Sequence, residues 1–187
     1  MTSGPHQLLT GRLRLRRWSE ADREPFARLN ADPAVMRYLG AALTRAESDA
    51  LITRIEACFE TQGLGLWAVE VTETGTFAGC VGLWPATVDA PFQPAIEVVW
   101  RLARPMWGNG YAREAAHAAL TDGFTRLGLS EVVAVTAVIN RRSQAVMRSL
   151  GMRREPAWDF DHPRLAAGDR LRPHVLYRIS TADLRTT

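Results

Sequence analysis

Along this chain the spacing of apolar residues switches between a period near two and a period near three and a half, and each switch marks an element. From Arg12 to Arg17, within the stretch Leu8–Trp18, apolar and charged residues mostly alternate, which predicts a half-buried strand. Ser19 is a suitable N-cap, with Asp22 and Glu24 near the start of a helix that runs to about Leu29. Asp32-Pro33 opens a short helix that Gly40 ends. Thr44 and Glu47 fit a capping box, and the helix behind it sets Ala50, Leu51, Ile55, Cys58 and Phe59 on one face before Gly63 stops it. The run from Gly63 to Trp84 reads as a hairpin turning at Glu73–Gly75. Gly79 and Gly82 inside its second arm predict a bulge or a close approach by a neighbour.

The middle of the chain carries the strongest pattern. Pro85 to Pro94 is a loop with three prolines, long enough to shape a pocket beside it. Ala95–Ala103 then alternates, with Ile96, Val98, Trp100 and Leu102 on one face and Glu97, Val99, Arg101 and Ala103 on the other. A turn containing Gly108 and Gly110 follows and opens an alanine-rich helix from about Asn109, with Gly128 as its stop. Val132–Ile139 is apolar almost throughout, as in a strand covered on both sides. Strand, crossover helix and strand imply a parallel pair. Asn140 ends the second strand, a short helix places Val146, Met147 and Leu150 inward, and Gly151 stops it. Arg153 to Ile179 reads as two closing strands joined by a turn-rich connection, the last strand being Val175–Ile179.

At 187 residues the chain suits one domain with a sizeable core. The seven N-terminal residues show no basic-then-apolar leader, and no apolar run approaches a membrane span. Cys58 and Cys80 are isolated, so neither a disulfide framework nor a metal-ligand pattern is expected, and a reducing cytoplasm is the simplest home. The net charge is +3, and all 23 basic residues are arginine. They are scattered, with no basic run longer than two, which argues against nucleic acid as a partner. A mild positive field favours an anionic ligand.

The glycine turn sets the candidate chemistry. A turn that opens a helix points several N–H groups at one spot with the positive end of the helix dipole behind them, a place for phosphate or pyrophosphate. A dinucleotide fingerprint would need three glycines after the first strand, and G-N-G-Y-A-R stands elsewhere. W-G-N-G-Y-A-R-E-A instead resembles the acyl-CoA-binding loop of the GNAT acetyltransferases, in the branch that acetylates ribosomal-protein N-termini. N-R-R-S-Q-A-V-M-R-S-L-G-M resembles a second GNAT segment, after the fifth strand, and the likeness spans roughly Leu8 to Ile179.

The resemblance implies a single α/β domain over residues 1–187: a mixed, twisted sheet of about seven strands flanked by about four helices. It implies acetyl transfer from acetyl-CoA to a primary amine, a protein N-terminus or a small amine, without a metal. A non-catalytic acyl-CoA sensor is the alternative. By the same resemblance the loop Met106, Trp107, Gly108, Asn109, Gly110, Tyr111 and Ala112 holds the pyrophosphate, and the backbone of Trp100, Arg101 and Leu102 holds the pantetheine arm. One N–H of that strand polarises the thioester, and the strand splays from the next to make the groove. Asn140 contacts the arm or caps the next helix, and Ser143 reaches the leaving sulfur or only the first helical turn. Pro105 stands where the family loop often begins with Arg or Gln, with Arg104 just before it; Arg104 and Arg113 are candidate phosphate partners. Met147 stands where other branches carry a tyrosine acid. Glu97 is the candidate general base, against the plainer reading that it pairs with Arg101 along the strand. His162 and His174 are further base candidates, each more simply structural. Exposed apolar strand edges would allow two copies to pair.

Overall fold

A computed structural model describes residues 7–184. The segment read for a leader falls almost wholly outside these residues, as do the outermost residues of the expected domain. The strands are β1 (Gln7–Leu9), β2 (Leu13–Arg16), β3 (Leu66–Val71), β4 (Thr76–Pro85), β5 (Ile96–Leu102), β6 (Glu131–Ala137), β7 (Arg153–Arg154), β8 (Phe160–Asp161) and β9 (Pro173–Ser180). The α-helices are α1 (Arg23–Ala31), α2 (Pro33–Met36), α3 (Arg45–Gln62), α4 (Tyr111–Thr125) and α5 (Arg141–Ser149). One sheet runs β1-β2-β3-β4-β5-β6-β9-β7, with β8 against β9. Every pairing is antiparallel except β5 with β6.

The mixed α/β sheet is the one expected, with nine strands and five α-helices among the described residues rather than about seven and about four. Two causes account for the difference in strands. The strand expected over Arg12–Arg17 is β2, and a further strand, β1, precedes it in the same stretch, forming a hairpin that turns at Thr10–Arg12 and pairs Gln7 with Arg16 and Leu9 with Arg14. Bonds between Thr10 and Leu13 close the turn, the Leu13 N–H donating to the Thr10 hydroxyl at 2.9 Å and the Thr10 N–H to the Leu13 carbonyl at 3.0 Å, and Glu114 of α4 braces it, accepting from the Thr10 hydroxyl at 2.6 Å and from the Arg12 N–H at 2.9 Å. The tail forms two short strands and one long one, because Arg153–Arg154 and Phe160–Asp161 each pair with a different part of β9.

Local signals hold where they are self-contained. In α3 the Thr44 hydroxyl accepts from the Glu47 N–H while the Glu47 carboxylate accepts from the Thr44 N–H at 2.7 Å, and Gly63 closes the helix at φ 71°. In β4 a register shift against β3 falls beside Gly79, whose φ is 139°. A Cβ there would stand 2.2 Å from the Arg101 carbonyl oxygen, and one at Gly82 would stand 2.0 Å from that of Gly65, so both backbones come too close for a side chain.

The core fills the space between sheet and helices. Leu13, Leu15, Val69, Val81, Phe26, Ile55, Leu120, Met147 and Ile179 are fully buried in it. A second, smaller cluster of Ala90, Phe92, Val133 and Leu176, with partly buried Ala95, Val135 and Phe160, seats the 86–95 loop on β6 and β9.

Candidate active site

The site begins at the one parallel contact in the sheet. β5 and β6 share a single register pair, Glu97 with Val133, near their N-terminal ends. Beyond it no further register pair joins them, and this unpaired stretch of the junction, the wedge, runs toward the turn after β5 and the start of α5. The alternation of antiparallel ladders fixes which groups face it. The Ala86 N–H donates to the Ala95 carbonyl and the Ala103 N–H to the Ala78 carbonyl, so the odd-numbered residues of β5 turn their N–H and C=O toward β4. The N–H groups of Trp100 and Leu102 and the Trp100 carbonyl therefore face the wedge. The Leu102 carbonyl is taken by the Trp107 indole N–H at 2.9 Å. Arg101 belongs to the odd set: its backbone pairs with Cys80, and of the three residues expected to offer backbone to the wedge, Trp100 and Leu102 do so.

The turn supplies a second set of donors. Arg104–Met106 makes one 3-10 turn, and Gly108 and Gly110 adopt φ of 82° and 78°, a left-handed backbone open to glycine. Gly110 is the N-cap of α4, and the first helical bond runs from the Glu114 N–H to its carbonyl. The N–H groups of Tyr111, Ala112 and Arg113 thus have no intrahelical acceptor. None of those on Gly108, Asn109 and Gly110 has a protein acceptor among the described residues. Asn109 turns its side-chain amide back to the Trp107 carbonyl at 3.3 Å. Unpaired donors at a helix start, continuous with unpaired strand backbone, fit a pyrophosphate joined to an amide-bearing arm.

Two arginines that sequence reasoning passed over frame the turn. Arg142 stacks on Trp107, its guanidinium carbon 4.8 Å from the ring centroid, and so ties the turn after β5 to the first turn of α5. Arg12 lies over Tyr111 at 4.9 Å and pairs with Glu114 at 2.6 Å. Their sequence neighbourhoods carried no signal, since each partner is far along the chain. Arg113, a candidate phosphate partner, donates to the Ser149 carbonyl at 3.2 Å, and Arg104 lies exposed.

Asn140 caps α5. Its Oδ1 accepts from the Ser143 N–H at 3.3 Å, and its Nδ2 donates to the Thr136 hydroxyl at 2.9 Å and to the Ser143 hydroxyl at 3.0 Å. Ser143 accepts there, which leaves its own O–H available. Met147 is buried in the core, so no acid stands at that place.

Glu97 is part-buried, and the ion pair with Arg101 is not formed. The Arg101 guanidinium donates to Asn30 of α1 at 2.5 Å, and Glu97 has no ion pair among the described residues. Desolvation pushes its carboxyl up to about 7. Pairing with Val133 puts Glu97 on the face that the 86–95 loop covers. His162 and His174 stack with centroids 5.0 Å apart. Burial lowers the pKa of both, and the ring Nδ1 of His174 bonds the Arg172 carbonyl at 3.0 Å.

Among the described residues no helix is long and apolar enough to cross a membrane, and no cluster of three metal-ligating side chains occurs. Residues 12–153 match the model of the acetyltransferase (GNAT) domain. The chain is 32% identical over 147 residues to the uncharacterized protein YkkB of Bacillus subtilis, covering 78% of this chain and 84% of that protein. It is 34% identical over 152 residues to the FsC-acetyl coenzyme A-N(2)-transacetylase of Aspergillus fumigatus, covering 78% of this chain and 64% of that one. Among solved structures, the acetyltransferase of Agrobacterium tumefaciens superposes with a TM-score of 0.76 at 26% identity, covering 96% of both chains. The wedge, the donor-lined turn and these likenesses agree: the chain belongs to the GNAT acetyltransferases and is an acetyl-CoA-dependent N-acetyltransferase.

Proposed function

We propose that the wedge between β5 and β6 holds acetyl-CoA, and that Glu97 is the general base for a primary amine attacking the thioester. The observation that carries this is Glu97 itself: a carboxyl on the wedge strand, without an ion pair among the described residues, titrating at about 7. A base with that pKa is half ionised at neutral pH, where it can still accept the amine proton. Acetyl-CoA supplies the activated acyl group, so no enzyme nucleophile is needed.

The N–H groups from Gly108 to Ala112 bind the pyrophosphate, with Met106, Trp107, Asn109 and Tyr111 shaping the turn. The Trp100 N–H and C=O and the Leu102 N–H pair with the amides of the arm, and one of those N–H groups polarises the thioester carbonyl. Asn140 orients Ser143. As the new N–C bond forms and the C–S bond breaks, Glu97 takes the amine proton, and the thiolate leaves and takes a proton from water directly or through the Ser143 hydroxyl, which regains its own proton from that water. Proximity in the wedge supplies much of the remaining rate.

The acceptor is a primary amine. The likeness of the glycine loop points to a protein N-terminus, and the Aspergillus relative is named for an N(2) nitrogen, so both peptide and small-amine acceptors belong in the test. Purified protein is mixed with acetyl-CoA and a panel of peptides with free N-termini, polyamines and amino acids, and CoA thiol is followed. Acceptor-dependent release is expected. CoA alone, at about 100 times its dissociation constant, adds roughly 2.7 kcal/mol of stability. Stabilisation without release across the panel supports a sensor; no stabilisation removes the wedge as the CoA site.

A further inference from the structure

On the proposed reading of the wedge, a second charged group stands beside the base on the same face of β5. Arg101 lies two positions beyond Val99, and Val99 two beyond Glu97, all on the face opposite Val98 and Leu102. Gly82, opposite Val99 in β4, raises no side chain between them. Arg101 lies four residue steps along the strand from Glu97, a backbone distance of about 13 Å.

Arg101 is held in one orientation and left electrically incomplete. Its Nη1 donates to Asn30 Oδ1, and Asn30 Nδ2 donates to the Ser48 hydroxyl at 2.9 Å, with both Asn30 and Ser48 fully buried. Its Nε is out of solvent and has no partner. Arg14, Arg126 and Arg172 also bury a guanidinium nitrogen without a partner, but each pairs with a carboxylate: Glu70, Asp122 and Asp161. Arg101 has no carboxylate within ion-pair distance among the described residues. A neutral amide holds Nη1, while Nε and Nη2, the pair that can take a carboxylate through two parallel hydrogen bonds, have no partner among the described residues. An unpaired donor and an unpaired charge held away from water are costly unless a ligand completes them.

We propose that Arg101 binds the acceptor, and that the acceptor is a primary amine whose own chain carries a carboxylate, seated on Arg101 while the amine lies at Glu97. Asn30 and Ser48 are positioning residues that hold the fork toward it. The site thus selects for an acidic amine, whereas a polyamine would place a second cation against Arg101.

The test uses three primary amines of one length, 8-aminooctanoate, 8-aminooctanamide and 1,8-diaminooctane, with acetyl-CoA and the full chain, and shorter and longer ω-amino acids to locate the best span. The expected order of kcat/KM is carboxylate over amide over diamine, with the carboxylate favoured about tenfold or more, carried by KM. In Arg101→Met that ratio falls to near one, and in Arg101→Lys part of it returns, while stabilisation by CoA is retained in both. Equal kcat/KM for carboxylate and amide in the wild type, or an unchanged ratio in Arg101→Met, overturns the proposal. If none of the three is acetylated, melting of the CoA complex decides: extra stabilisation by 8-aminooctanoate over its amide, lost in Arg101→Met, supports the site, and its absence overturns it. Failure of CoA alone to stabilise the protein overturns the wedge reading instead.

Discussion

Glu97 and Val133 are the only registered pair between β5 and β6, and that single contact divides the sheet's one parallel junction into a closed end and an open one. At the closed end Glu97 sits beneath the 86–95 loop. At the open end backbone donors run from Trp100 to the start of α4. A fully zipped ladder would have consumed those donors and left no room for a ligand.

Glu97→Gln is expected to lower kcat by about 10²-fold or more while leaving stabilisation by CoA intact, as the loss of a general base does. In the wild type, kcat/KM should rise with pH through about 7, where Glu97 ionises. An unchanged acid limb in the Gln variant would rule this role out.

The same group links stability to pH. Its folded pKa is raised, so the neutral carboxyl is the form the fold favours. Stability is therefore highest below the ordinary carboxyl range and falls as pH rises toward and through about 7. Glu97→Gln should abolish this component and be the more stable protein at pH 8, by up to about 3 kcal/mol at 1.36 kcal/mol per unit. Urea unfolding of both proteins at pH 5 and pH 8 measures it.

Gly79→Ala should destabilise the protein by about 3 kcal/mol, at the upper end of overpacking effects, because its Cβ meets the Arg101 carbonyl at 2.2 Å and its φ is 139°. Gly75→Ala has open space around it and pays only for its positive φ, about 1 kcal/mol. The two midpoints in a denaturant titration should separate accordingly.

Asn140→Ala removes the cap of α5 and leaves Thr136 without its amide partner, for a loss of about 2 kcal/mol. Asn140→Asp keeps the capping oxygen, and both hydroxyls can rotate to donate to it, so it should recover most of that stability. Thermal melts of the two variants give the comparison.

Trp107→Phe leaves the Leu102 carbonyl unpaired beside the wedge and should cost about 1 kcal/mol, read by urea unfolding. Phe keeps an aromatic face but lacks the five-membered half of the indole, so a much larger loss would mean that the packing of the indole and its Arg142 stack, more than the hydrogen bond, fix the turn.

The sequence by itself determined what depends on near neighbours. The capping box at Thr44, the stop at Gly63 and the strand–turn–helix around Gly108 and Gly110 are each decided within a few residues by backbone conformation and local hydrogen bonding, whereas Gly79 and Gly82 announce a close approach without naming the strand that makes it. Tertiary structure decided what depends on partners far along the chain. Whether Glu97 met Arg101 turned on Asn30, 71 residues from Arg101, which claims the guanidinium and leaves the carboxyl without that partner. The brace on the Thr10–Arg12 turn comes from Glu114, more than 100 residues away. A charged side chain in an alternating strand declares its face but not its partner, because a strand shows its neighbours only backbone until the sheet assembles. The unpaired carboxyl of Glu97 and the incompletely partnered cation of Arg101 therefore became visible only when α1 came to rest against the sheet.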